Sequence, residues 1–214
     1  GRLRPDLHEK FAKLLESQNK RFFVMYGQTE ATARMTYIPY KNASSKVGSI
    51  GVPIPGASVY LLDEEGKLVD EPGKTGELIY TGNNVTMGYA ECLDDLALGN
   101  ERDGILYTGD VAKYDEDGYL YIVGRKSRFL MIYGNRVNLD ECEKLIETHF
   151  AVEAAAVGED DLMKIYITGK IGESVVADFI SSKTGLNPKA FEIHEIAKIP
   201  RSGSGKKAYG ELED

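Results

Sequence analysis

The stretch GRKSRFLMIYGNRVNLDE, residues 124–141, separates two different sequence patterns and decides how the chain is divided. Its apolar run Phe129–Ile132 predicts a buried strand. Asn138 is of a residue type that caps helices, and Glu141 stands three positions later, as in a capping box. The sequence therefore predicts a strand that leads into a helix at about residues 140–149.

The residues upstream of this stretch have the pattern of short strands separated by turns that contain acidic residues and glycine. Such turns at hairpin spacing favour a small antiparallel β-barrel or sandwich. A helix at residues 6–16 and a buried strand at residues 22–26 are predicted before it. The strands predicted in this part are Ser58–Leu62, Glu77–Thr81, Ile105–Tyr107, Val111–Tyr114 and Tyr119–Val123.

The residues downstream alternate between β-rich and helical patterns, which is typical of a small α+β module. The change of pattern places a domain boundary near Gly124, so we expect an α+β chain with domains at residues 1–123 and 124–214. The predicted elements are strands at Val152–Val157, Lys164–Thr168 and Phe191–His194 and a helix at Glu173–Thr184 that ends at Gly185.

The composition excludes several classes of function. The 214 residues include 26 basic and 34 acidic side chains, with a net charge of −8. No apolar run approaches the roughly 18–20 residues of a bilayer span, and no basic block would neutralise a row of phosphates. Cys92 and Cys142 lack metal-ligand spacing, which favours reduced thiols in the cytoplasm. A small-molecule ligand is therefore a better expectation than a membrane span or a nucleic acid.

Four segments place polar side chains at glycine-containing turns beside strands, where ligand contacts are usually found. Each alone has an ordinary structural explanation, such as a helix cap or a hairpin turn. The last is not a phosphate-binding loop, since Pro200 and Lys207 stand where that pattern needs glycine and serine or threonine. It instead presents Lys206 on a glycine-hinged arm. The four are YGQTEAT (26–32), YTGD (107–110), the stretch 124–141 and PRSGSGK (200–206).

In this order and at these separations, the four segments resemble the adenylate-forming family, which includes acyl-CoA synthetases, firefly luciferase and the adenylation domains of peptide synthetases. GSIGVPIPG (48–56) and GELIYTGNNVTMGY (76–89) resemble further family segments. The resemblance covers the whole chain but corresponds to the C-terminal portion of a complete member, so we expect a missing N-terminal part. It implies the end of a large AMP-binding domain, with its small antiparallel β-barrel, followed by a mobile α+β lid.

The resemblance implies a nucleotide-binding role for the first segment. In the family, the tyrosine of this turn lies along the adenine, the threonine hydroxyl bonds a phosphate oxygen and the glutamate holds Mg²⁺. Here these residues are Tyr26, Thr29 and Glu30, and Gly27 belongs to the same binding turn. A single carboxylate together with substrate phosphates is a donor set that Mg²⁺ prefers.

The resemblance also implies roles for three charged residues. Asp110 would accept hydrogen bonds from both ribose hydroxyls, and Arg125 would donate to the ribose through its planar guanidinium. Lys206 is the predicted catalytic cation, acting with Thr29 and Glu30. A positive charge between the substrate carboxylate and the α-phosphate stabilises the charge that develops during adenylation.

Family members rotate the small domain about a hinge two residues after the ribose-binding arginine, a position that Ser127 occupies here. Gly134 would line the tunnel for the thiol arm, because a side chain would not fit there. Ser127 replaces the usual aspartate or lysine and is compatible with bending. Met131 stands where lysine is frequent.

The predicted parent protein is an AMP-forming acid–thiol ligase that uses ATP, Mg²⁺ and coenzyme A to activate a small carboxylic acid. We expect the 214-residue chain alone to be inactive. One alternative is an adenylation enzyme that loads D-alanine or another amino acid onto the phosphopantetheine of a carrier protein. The other is a non-catalytic nucleotide-binding module, against which the intact set of Glu30, Asp110, Arg125 and Lys206 argues.

Overall fold

The computed structural model describes residues 3–203 and 205–212. The chain folds into two compact units, Gly1–Lys126 (unit 1) and Ser127–Asp214 (unit 2), and each has its own hydrophobic core. Among the described helices, none has both the length and the apolar composition needed to cross a bilayer.

The described part of unit 1 contains one α-helix and eight strands. The helix begins with Pro5, a residue whose fixed φ and missing N–H suit the first turn. The core lies under the longer strands and includes the fully buried Leu78 and Tyr80. The elements are α1 (Pro5–Ser17), β1 (Met25–Tyr26), β2 (Thr36–Tyr37), β3 (Val52–Pro53), β4 (Ser58–Leu62), β5 (Leu68–Val69), β6 (Gly76–Thr81), β7 (Ile105–Tyr114) and β8 (Leu120–Arg125).

Five of these strands form one antiparallel sheet in the order β5-β4-β6-β7-β8. The sheet is antiparallel, as predicted, but it does not close into a barrel, because the edge strands β5 and β8 are not paired with each other in the described sheet. β5 has only two residues. The free edge of β8 is instead covered by the segment before β3, since Ile50 N–H donates to Leu120 O at 2.8 Å and Leu120 N–H donates to Gly51 O at 3.0 Å. This competing pairing leaves the sheet open.

The strand predicted at residues 22–26 is confirmed only for Met25–Tyr26, and the expectation that the whole run is buried is wrong. Val24 is buried, but Phe23 and Met25 are 43% and 51% exposed. Successive side chains of an extended segment point to opposite sides, and only the side that carries Val24 is packed in the structure. β1, β2 and β3 form a small antiparallel sheet.

The two strands predicted at Ile105–Tyr107 and Val111–Tyr114 are one continuous strand, β7. Its register against β6 shifts, since Glu77 pairs with Val111 whereas Ile79 pairs with Tyr107. Three residues of β7, 108–110, therefore stand opposite Leu78 in a β-bulge. The polar segment that the sequence placed at a turn is thus an interruption inside a strand, which re-aims its side chains.

Unit 2 is a three-stranded sheet and a separate hairpin packed with two helices. β11 (Ala154–Glu159) and β12 (Leu162–Thr168) are antiparallel, while β12 and β13 (Phe191–Ile196) are parallel and are joined through a helical crossover, as parallel pairs require. The strand predicted at Val152–Val157 is observed two residues later. The elements are β9 (Phe129–Ile132), β10 (Asn135–Asn138), α2 (Leu139–Phe150), β11 (Ala154–Glu159), β12 (Leu162–Thr168), α3 (Glu173–Thr184) and β13 (Phe191–Ile196).

The ends of both helices of unit 2 confirm the sequence prediction. The Asn138 side chain accepts hydrogen bonds from Asp140 N–H at 3.0 Å and Glu141 N–H at 3.4 Å, and so caps α2. Helix α3 ends at Gly185, whose φ of +74° is a left-handed conformation that favours glycine. Short-range chemistry therefore determines where these helices begin and end.

Replacing Asn138 with Ala is expected to lower the free energy of unfolding of unit 2 by about 1 kcal/mol, because two N–H groups of α2 lose their acceptor. Urea unfolding followed by circular dichroism measures the change. Asn138→Asp, which retains an acceptor oxygen, is the matched control and should remain near the wild type. Equal stability of the Ala and Asp variants would contradict the capping role.

The two cysteines differ in accessibility, since Cys92 is exposed and Cys142 is buried. Burial, with the nearby charges of Glu141 and Glu143, raises the pKa of Cys142 to about 12. Because the thiolate is the reactive form, a thiol reagent at pH 8 should label Cys92 rapidly and Cys142 only after unfolding. Mass spectrometry of labelled peptides tests this, and rapid labelling of Cys142 in the native chain would contradict it.

Candidate active site

The bulge of β7 brings Asp110 into the interior of unit 1. Thr108 Oγ1 donates to Leu78 O at 2.7 Å and accepts from Asp110 N–H at 3.0 Å. Gly109, between them, has a φ of +69°, which suits a residue without a side chain. Asp110 is 5% exposed. The bulge therefore fixes a buried carboxylate at a defined place beside β8.

The Asp110 carboxylate is held by donors from two other segments. Tyr26 O–H donates to Oδ2, and Gln28 Nε2 donates to the same oxygen at 3.0 Å. Arg125 Nε lies 2.7 Å from Oδ1. Tyr26, Asp110 and Arg125 are far apart in sequence, yet the structure brings these three predicted residues together. Gln28, which lies inside the segment 26–32, is a fourth member, and no role for it follows from the sequence.

Tyr26 remains a hydrogen-bond donor at neutral pH. Burial, together with the charge of Asp110 and the hydrogen bond to it, raises the pKa of Tyr26 well above its ordinary value. Arg125 keeps 54% of its side chain exposed while it contacts Asp110. The site therefore combines a buried acceptor with an accessible cationic donor, which suits polar ligands that carry hydroxyl or phosphate groups.

Gly27 begins a tight turn that carries the next two candidates. A Cβ at Gly27 would lie 2.3 Å from Ala33 O, closer than any real contact. Ala33 N–H donates to Gln28 O at 3.1 Å, and Met35 N–H donates to Tyr26 O at 2.9 Å, which closes the turn. Close backbone packing thus requires glycine here, and a direct contact of Gly27 with a nucleotide stays a prediction.

Thr29 and Glu30 lie on the short 3₁₀ turn Thr29–Ala31 that follows. Thr29 is exposed and Glu30 is half-buried. Tyr89 O–H donates to Glu30 Oε1 at 2.5 Å. This hydrogen bond, aided by the charges of Arg102 and Arg125, holds the pKa of Glu30 below its ordinary value. Glu30 is therefore ionised at neutral pH, as a metal ligand must be.

Tyr89 and Arg102 complete this part of the site, and no role for either follows from the sequence alone. The Arg102 guanidinium lies 4.5 Å from the centroid of the Tyr89 ring, and it also donates to Thr86 Oγ1. Tyr89 is the last residue of the family-like segment GELIYTGNNVTMGY. The sequence does not indicate its partner, Glu30. Among the described residues, no cluster of three or more His, Cys, Asp or Glu side chains has the arrangement of a metal site.

Besides Lys206, three residues singled out in the sequence belong to unit 2. Gly134 lies in the turn between β9 and β10 with a φ of +79°, and a Cβ there would meet nothing within 4 Å. Within unit 2, backbone conformation and not crowding favours glycine at this position. Ser127 is the first residue of unit 2 and lies in the 3₁₀ turn Lys126–Arg128. Met131 is 41% exposed, and its N–H donates to Asp160 Oδ1 at 2.9 Å.

Lys206 is exposed on a closed turn of unit 2. Arg201 and Lys207 pair across the base of this turn, and Lys206 O accepts from Ser202 N–H at 2.8 Å. Ser204 lies outside the described residues. The glycine-hinged arm predicted from the sequence is therefore anchored at both ends of the segment 201–207.

Comparison with known proteins identifies the family. The family described as AMP-binding enzyme matches residues 1–90. A long-chain-fatty-acid–CoA ligase of Yersinia pestis is 34% identical over 208 residues, and the alignment covers 88% of this chain. The chain belongs to the AMP-binding, adenylate-forming family. The resemblance stated from the sequence is confirmed.

Other members of the AMP-binding family show the extent of the match. 4-Hydroxybutyrate–CoA ligase 1 of Metallosphaera sedula is 36% identical over 198 residues, which cover 85% of this chain. The chain spans 35% of the length of the Yersinia ligase and 34% of the Metallosphaera ligase. It therefore matches about a third of each of these relatives.

Solved structures of the AMP-binding family share the fold. The o-succinylbenzoate CoA synthetase of Bacillus subtilis, in complex with its acyl-adenylate intermediate, has a TM-score of 0.74 at 23% identity, covering 100% of this chain and 44% of that one. The same enzyme in complex with ATP and a magnesium ion has a TM-score of 0.71 at 24% identity, covering 96% and 44%. The chain thus has an α+β fold similar to that of these enzymes.

Replacing Gly27 with Ala is expected to lower the free energy of unfolding of unit 1 by about 1–3 kcal/mol, the usual cost of an added group in a tightly packed place. The reason is the 2.3 Å approach of the new Cβ to Ala33 O. Gly210→Ala, where a Cβ would meet nothing within 4 Å, is the control. Urea unfolding of both variants measures the difference, and a wild-type stability of the Gly27 variant would contradict the tight turn.

Proposed function

We propose that the chain is the C-terminal part of an AMP-forming acid–CoA ligase, with residues 1–123 ending the large AMP-binding domain and residues 124–214 forming a mobile lid. The observation that carries this proposal is the cluster of Tyr26, Asp110 and Arg125, which the family resemblance assigns to the nucleotide. The CoA ligases among the relatives support coenzyme A as the acyl acceptor. The supply of ATP and coenzyme A would place the reaction in the cytoplasm.

Asp110 would anchor the ribose of ATP. Its two oxygens already accept from Tyr26, Gln28 and Arg125, so the carboxylate is held in one orientation, in which it would accept from hydroxyl groups. Arg125 would move its accessible guanidinium onto the ribose, and Tyr26 would lie along the adenine. A buried acceptor of fixed orientation favours a diol over a single hydroxyl group.

Glu30 would hold Mg²⁺. The Glu30 side chain suits this ion, because it is an ionised, half-buried carboxylate. Its position on a short turn leaves room for substrate phosphates to supply the other oxygen ligands. When bound, Mg²⁺ would neutralise charge on the phosphate oxygens of ATP. Thr29 would donate its hydroxyl to a phosphate oxygen from the same turn.

Lys206 would stabilise the adenylation step. A carboxylate oxygen of the acid attacks the α-phosphorus, and the bond to pyrophosphate breaks with pyrophosphate leaving. The ammonium of Lys206 would lie between the two anions and offset their repulsion. In the second step, the thiol loses its proton and attacks the acyl carbon, and AMP leaves.

Rotation about Ser127 would exchange the face of the lid between the two steps. The division of the structure between Lys126 and Ser127 supports a hinge at this point. Gly134, on the two-residue turn between β9 and β10, would then border the path of the thiol arm. The acyl carbonyl of the adenylate and the thiol of coenzyme A would come together there once Lys206 has moved away from the α-phosphate.

The test is acid-dependent exchange between ATP and pyrophosphate by the complete polypeptide, measured with fatty acids, short hydroxy acids and aromatic acids. We expect exchange with one class of acid, and Lys206→Ala should lower it by about 10²–10³-fold, as for the loss of a preorganised electrostatic contact. Lys189→Ala, which removes another exposed lysine of unit 2, is the matched control and should leave exchange unchanged.

Two outcomes would contradict this proposal. A complete, folded protein that binds AMP but catalyses no exchange with any acid would support a non-catalytic nucleotide-binding module. Exchange that is followed by transfer to a carrier protein but not to coenzyme A would change the acceptor and leave adenylation established.

A further inference from the structure

Unit 2 contains a buried carboxylate that the proposed chemistry does not use. Glu143, on α2, is 4% exposed. Its Oε1 accepts from Arg128 Nη2 and from Ala156 N–H at 2.8 Å. Its Oε2 accepts from Lys207 Nζ at 2.6 Å and from Tyr209 O–H at 3.2 Å. One carboxylate therefore joins the start of unit 2, strand β11 and the segment that carries Lys206.

Lys207 is fully engaged at this site. Besides Glu143, its Nζ donates to Glu147 Oε1 at 2.9 Å and to Ala154 O at 2.6 Å, so all three donors of the ammonium have acceptors. Burial alone would lower the pKa of Lys207, but the hydrogen bonds and charges of Glu143 and Glu147 raise it overall. Lys207 is therefore a charged and fixed anchor at neutral pH.

Arg128 supports the other oxygen of Glu143. Its Nε donates to Asp140 Oδ1 at 2.7 Å and its Nη1 to Ala156 O at 2.7 Å. The guanidinium also lies 3.8 Å from the centroid of the Tyr209 ring. Burial and the charge of Glu143 raise the pKa of Tyr209 to about 12, so this residue also stays a donor. The second residue of unit 2 is thus tied to the same cluster as Lys207.

Anchoring Lys207 determines the place of its neighbour. Lys207 pairs with Arg201 as an antiparallel bridge, and Ala208 N–H donates to Pro200 O at 2.9 Å. With Lys207 directed into the cluster, Lys206 is presented to solvent, which agrees with its exposure.

We propose that Lys207 is a positioning residue for Lys206: the Glu143 carboxylate holds Lys207, and Lys207 in turn holds Lys206 in the orientation needed for adenylation. This inference rests on the proposed function. It gives Lys207 a role in adenylation that does not involve contact with the substrate. Through Arg128, the same carboxylate also fixes the first turn of unit 2, so that the lysine and the start of the unit share one rigid frame.

An ionic cluster of this kind is better suited to orientation than to stability. The free-energy cost of removing two charges from water offsets most of their mutual attraction. Well-packed apolar side chains of similar volume often stabilise a fold to the same degree. The cluster contains the cations Arg128 and Lys207 and the carboxylates Asp140, Glu143 and Glu147. Directional hydrogen bonds from a fixed ammonium define one geometry for the turn, which apolar packing would define less sharply.

The test compares Lys207→Met, Lys207→Arg and Lys189→Met in the complete polypeptide by acid-dependent ATP–pyrophosphate exchange. Lys207→Met should lower the maximal rate by about 10²-fold, the usual effect of displacing a catalytic group by about 1 Å, with little change in the KM for ATP. Lys207→Arg should recover most of the rate, because its guanidinium can still donate to Glu143 and Glu147. Lys189→Met should have no effect.

A double-mutant cycle separates positioning from a general structural role. If Lys207 acts through Lys206, Lys207→Met should not lower exchange further in a Lys206→Ala background. Thioester formation from a supplied acyl-adenylate should also be unchanged by Lys207→Met. A further loss of about the same fold in the Lys206→Ala background would overturn the proposal, as would a Lys207→Met enzyme with wild-type exchange.

Amide hydrogen exchange gives a readout that does not depend on activity. In Lys207→Met, residues 200–208 should exchange faster while β12 keeps its protection. Loss of protection across β12 would show that Lys207 supports the whole unit and would overturn the positioning role. A wild-type enzyme without ATP–pyrophosphate exchange would overturn the proposed function together with this inference, whereas exchange unaffected by Lys207→Met would overturn this inference alone.

Discussion

A carboxylate that is removed from water must be surrounded by donors, and Asp110 obtains its donors from two other stretches of unit 1. Tyr26 is the last residue of β1, Gln28 lies in the turn that follows it, and Arg125 is the last residue of β8. An unpaired buried charge would cost several kcal/mol, so these stretches have to meet. The bulge in β7 makes the meeting possible, because a regular strand would direct residue 110 differently. Gly27, whose tight turn lies between Tyr26 and Gln28, belongs to the same arrangement.

Unit 2 also contains a buried carboxylate that needs donors, Glu143, but its surroundings differ from those of Asp110. Glu143 lies on the buried face of α2 and is satisfied by Arg128, Lys207, Tyr209 and a backbone N–H. The Asp110 carboxylate lies beside the accessible guanidinium of Arg125, whereas the Glu143 carboxylate is enclosed by its own donors. The first arrangement suits the binding of an incoming ligand. The second suits the orientation of a neighbouring residue, since every partner is already in place.

Much of the candidate site was predictable because its residues are typical of a family and stand in short segments. The short motifs indicate Tyr26, Asp110 and Arg125 one by one, without their mutual contacts. Gln28, Tyr89 and Arg102 were not assigned, since each acts on a residue that is distant in sequence and no local pattern indicates the partner. The helix ends at Asn138 and Gly185 were predictable for the opposite reason, because capping depends on backbone groups within a few residues.

By itself, the sequence determined the helices, most of the strands, the change of pattern near Gly124 and the family, since these depend on local periodicity, caps and short motifs. Only the tertiary structure decided that residues 105–114 form one bulged strand, that the sheet stays open and that Glu143 faces inward toward two cations. The reason is physical. Pairing between distant strands and the burial of charge depend on which segments come into contact. Local sequence patterns do not specify those contacts.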